Sequence, residues 1–147
     1  MVLGQARSAD GSYYPSAGSC SVSGFGLTAN CAGVTLPADR MTHVYDGDAT
    51  GGGHKYGGDP GKSWFPATWS KADVQHAIDR AADKAPTDAD WNPQPNGNYV
   101  THKWYNGVLI RVVVYPDYRL TTAVPIRGNP GSGVSYIDPA TGTRVYY

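Results

Sequence analysis

Glutamate is absent from this sequence of 147 residues, whose twelve acidic residues are all aspartate. A catalytic glutamate is therefore excluded, and so is an EF-hand calcium loop, which needs a glutamate as its last ligand. Basic residues are not in excess either, because twelve Lys and Arg balance the twelve acids. Zero net charge argues against a broad nucleic-acid-binding surface. It still allows an enzyme that holds a short single-stranded segment at one local site.

Cysteines are few, and long apolar runs are missing. Cys20 and Cys31 are the only cysteines, and they form either a disulfide that closes a Gly/Ser-rich loop or two free thiols. No histidines stand near them at zinc-finger spacing, so a zinc site is not expected. No apolar run approaches the roughly 18 residues of a membrane span. Residues 1–14 lack the basic and apolar regions of a signal peptide.

One amphipathic helix is predicted after Trp69. Ser70 and Asp73 have the spacing of a capping box, with Asp in place of the more usual Glu. Pro86 limits the helix at its far end. The apolar stripe that follows the cap at helical spacing consists of Val74, Ala77, Ile78 and Ala81. Such a helix is about 20 Å long, enough to cover one face of a small sheet.

Beyond residue 98 the pattern changes to antiparallel strands. Asn106-Gly107 suits a type I′ turn and predicts a tight hairpin. The predicted strands are Tyr99–Tyr105, Val108–Tyr115 and Arg119–Val124, followed by a second hairpin of Val134–Ile137 and Arg144–Tyr147. The fold class predicted is α+β, with antiparallel sheet packed against one main helix.

The length suits a single structural domain with a core of its own. Within it, residues 1–40 are predicted to be a Gly/Ser-rich leader packed on the domain. Residues 41–147 are predicted to carry the chemistry.

The stretch 41–69 combines two histidines with seven glycines. His43 and His54 lie eleven residues apart, and a loop this rich in glycine is costly to order. Such a loop is plausible where backbone must approach a ligand or bring two side chains together. Imidazoles titrate near neutrality, so a pair of them divides general-base and general-acid work. Lys62, which follows them, is suited to meet a phosphate.

These residues also carry a resemblance to a known family. The order His43, then D-G-D-A-T-G-G-G-His54, then G-K-S-x-F-P-x-x-W-S resembles the bacterial EndoU nuclease domain, a toxin module related to uridylate-specific endoribonucleases. The later V-L-I-R-V-V-V-Y-P-D and T-T-A-V-P segments are similar to the last strands of that domain. The resemblance covers residues 43–125.

The resemblance implies an endoribonuclease without a cofactor or metal. It would cut RNA by attack of a ribose 2′-hydroxyl on its own phosphorus, leaving a 2′,3′-cyclic phosphate and a 5′-hydroxyl. By the same analogy His54 is the base and His43 the acid. Thr122 matches the family's T-A-Y-P and would donate to a nonbridging phosphate oxygen. The implied setting is a secreted or delivered effector that cuts tRNA in a target cell's cytoplasm and is blocked by an immunity protein.

Three further residues are predicted to bind the substrate: Lys62 and Gly53, from the glycine-rich stretch, and Lys103, which lies near the place where distant relatives have a catalytic lysine. The sequence departs from the family at Val124, where other members tend to have a tyrosine. The replacements considered are Tyr115, Tyr118 and Tyr136.

Rival interpretations remain open from the residues alone. His43, Asp46 and Asp48 suggest a metal site, although the later ligands of a calcium loop are missing. The chain is alternatively an NAD-cleaving toxin delivered by the same systems. A third interpretation is a noncatalytic cell-surface module whose tyrosines hold a ligand.

Overall fold

The computed structural model describes residues 22–24, 27–30 and 32–147. In chain order the elements are β1 (Val22–Gly24), β2 (Leu27–Ala29), α1 (Ala38–Tyr45), α2 (Lys71–Ala81), β3 (Asn92–Pro93), β4 (Tyr99–Tyr105), β5 (Val108–Val114), β6 (Leu120–Gly128), β7 (Ser135–Ile137) and β8 (Arg144–Tyr146). Strands β3 to β6 form an antiparallel sheet in sequential order, and β1–β2 and β7–β8 are separate hairpins. The fold is α+β, as predicted. Neither helix is long and apolar enough to cross a membrane among these described residues.

Helix α2 forms after the predicted cap and carries the whole predicted stripe, but it ends at Ala81, before Pro86. The Ser70 hydroxyl accepts a hydrogen bond from the Asp73 amide at 3.1 Å, and the Asp73 carboxylate accepts one from the Ser70 amide at 2.8 Å. The capping box therefore forms with Asp in place of Glu. The predicted stripe is buried against β4 and β5.

The β4–β5 hairpin also forms as predicted. Asn106 and Gly107 both have positive φ, at 46° and 79°, as a type I′ turn requires. Val108, Ile110, Val112 and Val114 are fully buried on the face that packs against the helices. Strand β6 runs four residues beyond its predicted end and includes Pro125. Proline is tolerated there because β6 is the edge strand of its sheet.

Helix α1 was not predicted, and it changes the interpretation of the glycine-rich stretch. Residues 41–45 belong to this helix, so His43 lies on a helix and not in a loop. Pro37 precedes the helix and provides no side-chain cap, which removed the usual sequence signal of a helix start. Met41 and Val44 anchor α1 in the core. The predicted boundary between residues 40 and 41 falls inside α1.

The leader is only partly described. Strands β1 and β2 pair with each other as a short hairpin. Cys20 and Cys31 lie outside the described residues, and so does the choice between a disulfide and two free thiols.

Candidate active site

The glycine-rich segment after α1 folds back along the helix end. The backbone N–H groups of residues 53–55 donate to the carbonyls of residues 43–45, at 2.8 to 3.0 Å. Carbonyls in the last turn of a helix lack partners within it, so this segment satisfies them. The pairing places His54 beside the end of the helix that carries His43. Both imidazoles are buried, at 7% and 6% exposure.

Gly52 is the position where this close approach depends most on glycine. Its φ is +75°, and a Cβ atom placed there would lie 1.8 Å from the carbonyl oxygen of His43. No L side chain fits in that space. Gly53, predicted to bind substrate, has φ +82°, and its amide donates to the same carbonyl oxygen at 2.9 Å. That amide is therefore used to build the site.

His43 is oriented by a carboxylate. Asp48 Oδ1 lies 3.0 Å from His43 Nδ1, and the same oxygen accepts hydrogen bonds from the Thr50 hydroxyl at 2.6 Å and the Thr50 amide at 2.8 Å. Hydrogen bonds from Thr50, and then the one from His43, hold the pKa of Asp48 well below its usual range. An ionised Asp48 accepts from Nδ1–H, which leaves His43 Nε2 for other chemistry.

His54 is anchored in the same manner by a backbone carbonyl. Its Nδ1 lies 2.8 Å from the carbonyl oxygen of Ser63, so Nδ1 donates and Nε2 stays available. Burial lowers the pKa of His54 below its ordinary value, the Ser63 hydrogen bond opposes this, and the positive charges of Lys62 and His43 lower the pKa further. The ring is therefore neutral at pH 7, which is the form that accepts a proton.

Lys62, predicted to bind the substrate, lies close to Gly51 and His54. The Nζ atom of Lys62 lies next to Gly51, 3.6 Å from the position that a Cβ atom of residue 51 would occupy. The positive charge of Lys62 also lowers the pKa of His54. Over residues 32–147 no carboxylate forms an ion pair with Lys62. The ammonium is thus available to an anion.

The C-terminal hairpin holds the segment that carries Lys62. Arg144 donates to the carbonyls of Pro60 and Lys62, at 2.9 and 2.8 Å, and to the Ser135 hydroxyl at 2.8 Å. Its guanidinium also stacks on Trp64, 3.4 Å from the ring centroid. Trp64 and Ser135 exchange backbone hydrogen bonds in both directions. The hairpin therefore fixes the backbone on both sides of Ser63, the residue that anchors His54.

Thr122 lies on the strand nearest α1. Arg40 donates from Nε and Nη2 to the carbonyl oxygen of Thr121, at 2.9 and 2.6 Å, which joins the helix to β6 beside Thr122. His43 is three residues after Arg40 and so lies one turn along the helix. Thr122 itself is half-buried and pairs with Val113.

Lys103 is not brought to the histidines. It lies on the side of β4 that faces α2, opposite Ile110. Its ammonium is bound by Asp90 at 2.6 Å and by Asp83 at 3.7 Å, which raises the pKa of Lys103. The structure therefore gives Lys103 two acidic partners in place of a phosphate.

Val124 lies on the same sheet face as Thr122, opposite Arg111 of β5. Each of the three tyrosines considered as replacements has another aromatic or cationic partner. Tyr115 lies under the Arg119 guanidinium, Tyr118 packs edge-on against Tyr99, and Tyr136 stacks on Tyr147.

Of the three residues considered for a metal, His43 and Asp48 are in contact, but Asp46 does not join them. No group of three or more His, Cys or Asp able to hold an ion occurs in the part of the chain that the structure describes. Asp46 is paired instead with Lys71 at 3.0 Å and with Lys55 at 3.4 Å. Sequence reasoning treated Asp48 only as a possible metal ligand and missed its contact with His43. No local sequence signal marked this contact, because the end of α1 was itself not predicted.

The electrostatic coupling in this site leads to an expected result for Lys62. Replacing Lys62 by methionine removes a positive charge that acts on His54, so the pKa of His54 is expected to rise. NMR titration of the imidazole protons measures it. Lys55→Met is the matched control, because Lys55 adjoins His54 in sequence but its charge faces Asp46. An unchanged His54 titration in Lys62→Met would contradict the coupling.

Two anchored imidazoles, one of them neutral at pH 7, with a free ammonium beside them, can divide proton transfer around an anionic group. Residues 40–127 match the family model for the bacterial EndoU nuclease. No curated protein and no solved structure matches the chain significantly. The matched region covers more than half of the sequence and contains both histidines, so the chain belongs to the bacterial EndoU nuclease family.

Proposed function

We propose that this nuclease is an endoribonuclease that cleaves RNA by transesterification through the ribose 2′-hydroxyl. The observation that carries the proposal is the pair of buried imidazoles, each anchored at Nδ1 and each keeping Nε2 free. An acid–base pair of this kind suits a reaction in which one proton leaves the nucleophile and another reaches the leaving group.

In the proposed reaction His54 Nε2 takes the proton of the 2′-hydroxyl. The 2′-oxygen attacks the adjacent phosphorus, and the bond from phosphorus to the 5′-oxygen breaks. His43 Nε2 gives its proton to that oxygen, which leaves as a 5′-hydroxyl, and a 2′,3′-cyclic phosphate remains. The lowered pKa of His54 supports its role as base, and the Asp48 carboxylate supports His43 as acid because it stabilises positive charge on that ring.

Charge on the phosphate increases in the transition state and needs donors fixed in advance. Lys62 is proposed to supply an ammonium, and Thr122 a hydroxyl to a nonbridging oxygen. Both predicted roles fit residues that lie on elements adjoining the histidines. DNA lacks the nucleophile, so the proposed enzyme does not cut it.

The biological setting is proposed from the family resemblance alone. The enzyme would act as a toxin delivered into the cytoplasm of a competing cell, with tRNA as the target and an immunity protein that covers the site in the producer.

The test is incubation of the purified protein with total RNA in the presence of a chelator. Fragments ending in 2′,3′-cyclic phosphate and 5′-hydroxyl are expected, and a matched DNA should stay intact. Fragments with 3′-hydroxyl ends, or activity that requires an added divalent metal, would contradict the proposed chemistry. NAD added to the same reaction should remain unchanged, because its loss with intact RNA would favour the NAD-cleaving alternative.

A further inference from the structure

The sheet has a second face, turned away from α2, on which Thr122 lies. Cross-strand partners place Val100, Val113 and Thr122 in one row on it. The next row is His102, Arg111 and Val124, and the third is Trp104, Leu109 and Arg127. We call this the outer face. It begins at Thr122, so it is continuous with the proposed active site.

The charged side chains on the outer face are all basic. Strands β4, β5 and β6 contain no acidic residue along their whole length. In the described ranges neither Arg111 nor Arg127 forms an ion pair with a carboxylate. Lys103, the lysine of β4, lies on the opposite face with its two aspartates. A chain with zero net charge therefore carries unpaired arginines beside its proposed site.

Trp104 is 52% exposed at the far corner of the outer face. A tryptophan ring is seldom this exposed, because burying its large apolar surface stabilises a protein or a complex. Successive rows on one face of a strand lie about 7 Å apart and neighbouring strands about 5 Å apart. Trp104 is therefore about 17 Å from Thr122 along the diagonal of the sheet, with Arg111 between them.

We propose that the outer face binds the single-stranded RNA that flanks the cleaved bond. A base stacks on Trp104, and Arg111 and Arg127 bind backbone phosphates along the same path. An exposed aromatic ring with unpaired arginines is the combination that binds unstacked bases and their backbone. A double helix offers no free base face to Trp104, so the site selects single strands such as loops. This inference rests on the proposed function, because it names how that substrate is held.

Binding is measured first, without cleavage. The probe is a single-stranded oligonucleotide with 2′-O-methyl riboses, which lacks the nucleophilic hydroxyl. Trp104→Ala is expected to weaken binding about tenfold, and Trp104→Phe to restore most of it. Arg111→Gln and Arg127→Gln are each expected to reduce the slope of log Kd against log salt by about 0.7. A duplex of the same sequence should not compete.

Matched controls come from other parts of the surface. Tyr146→Ala removes an aromatic ring that is 60% exposed on β8, and Lys84→Gln removes one positive charge beyond the end of α2. Both should bind the probe as the unmodified protein does. Equal affinity of Trp104→Ala and Tyr146→Ala, or unchanged salt slopes in both arginine variants, would overturn the proposal.

Cleavage of an unmodified RNA then separates this inference from the proposed function. Trp104→Ala is expected to raise KM about tenfold and to leave kcat within about twofold, because the ring is far from the reacting phosphate. If the unmodified protein leaves RNA intact, the proposed function fails, and the probe measurement alone decides whether the outer face binds a single strand. If RNA is cleaved with the same KM by Trp104→Ala, the outer face is not part of substrate binding.

Discussion

Replacing His54 by alanine is expected to lower kcat/KM for RNA cleavage about 10³-fold, and His43→Ala by a similar factor. Each substitution removes one of the two groups proposed to transfer protons at the phosphate. His76→Ala is the control, because this histidine lies on α2 and packs against Tyr105, outside the site. The variants are compared by single-turnover cleavage of a labelled oligoribonucleotide.

A modified substrate tells the two roles apart. When sulfur replaces the bridging 5′-oxygen, the thiolate leaves without needing a proton. His43→Ala is then expected to recover most of its lost rate, whereas His54→Ala is not. Recovery in His54→Ala instead would reverse the proposed roles of acid and base. Full activity of either alanine variant on ordinary RNA would remove that histidine from the mechanism.

Gly52→Ala is expected to destabilise the protein by about 3 kcal/mol or more. The new Cβ would lie 1.8 Å from a backbone oxygen, and the residue would keep a φ of +75°, which L residues adopt only at a cost. The total free energy of unfolding of a small domain is about 5 to 15 kcal/mol, so this loss is a large share of it. Urea unfolding followed by circular dichroism measures the loss.

Gly57→Ala is the matched control for Gly52→Ala. Gly57 has nearly the same φ, +77°, but open space where its Cβ would be. The Gly57→Ala variant is expected to lose only about 1 kcal/mol of unfolding free energy, from backbone strain alone. The difference between the two variants measures the close contact of the loop with α1. Equal losses would mean that the loop moves aside at small cost.

The elements that local chemistry specifies could be predicted from sequence. Helix α2 has a reciprocal cap and a regular apolar stripe, and the β4–β5 turn has the two residues that tolerate positive φ. Helix α1 has neither signal. It is eight residues long, and it depends on burial of Met41 and Val44 and on the loop that satisfies its last carbonyls. Such a helix is determined by tertiary contacts, and these cannot be inferred from the local sequence pattern.

The same distinction applies to the site. His43, His54 and Lys62 could be named because their residue types and glycine-rich surroundings suit proton transfer near a phosphate. The partners that orient the two imidazoles could not, since one is an aspartate beyond a helix end and the other is the main-chain oxygen of Ser63. Lys103 was a candidate because a lysine can bind phosphate. The alternation of side chains along β4, however, places it on the face where it pairs with Asp90.

The hydrogen bonds from Arg144 to the backbone around Lys62 determine how much of the chain must be kept when the nuclease domain is excised or fused to another protein. Cutting the chain at residue 127, where the family match stops, would remove the Arg144 guanidinium that binds the backbone around Lys62. A portable version has to keep the chain through residue 147, and a fusion partner is better joined to it through a spacer than directly at β8.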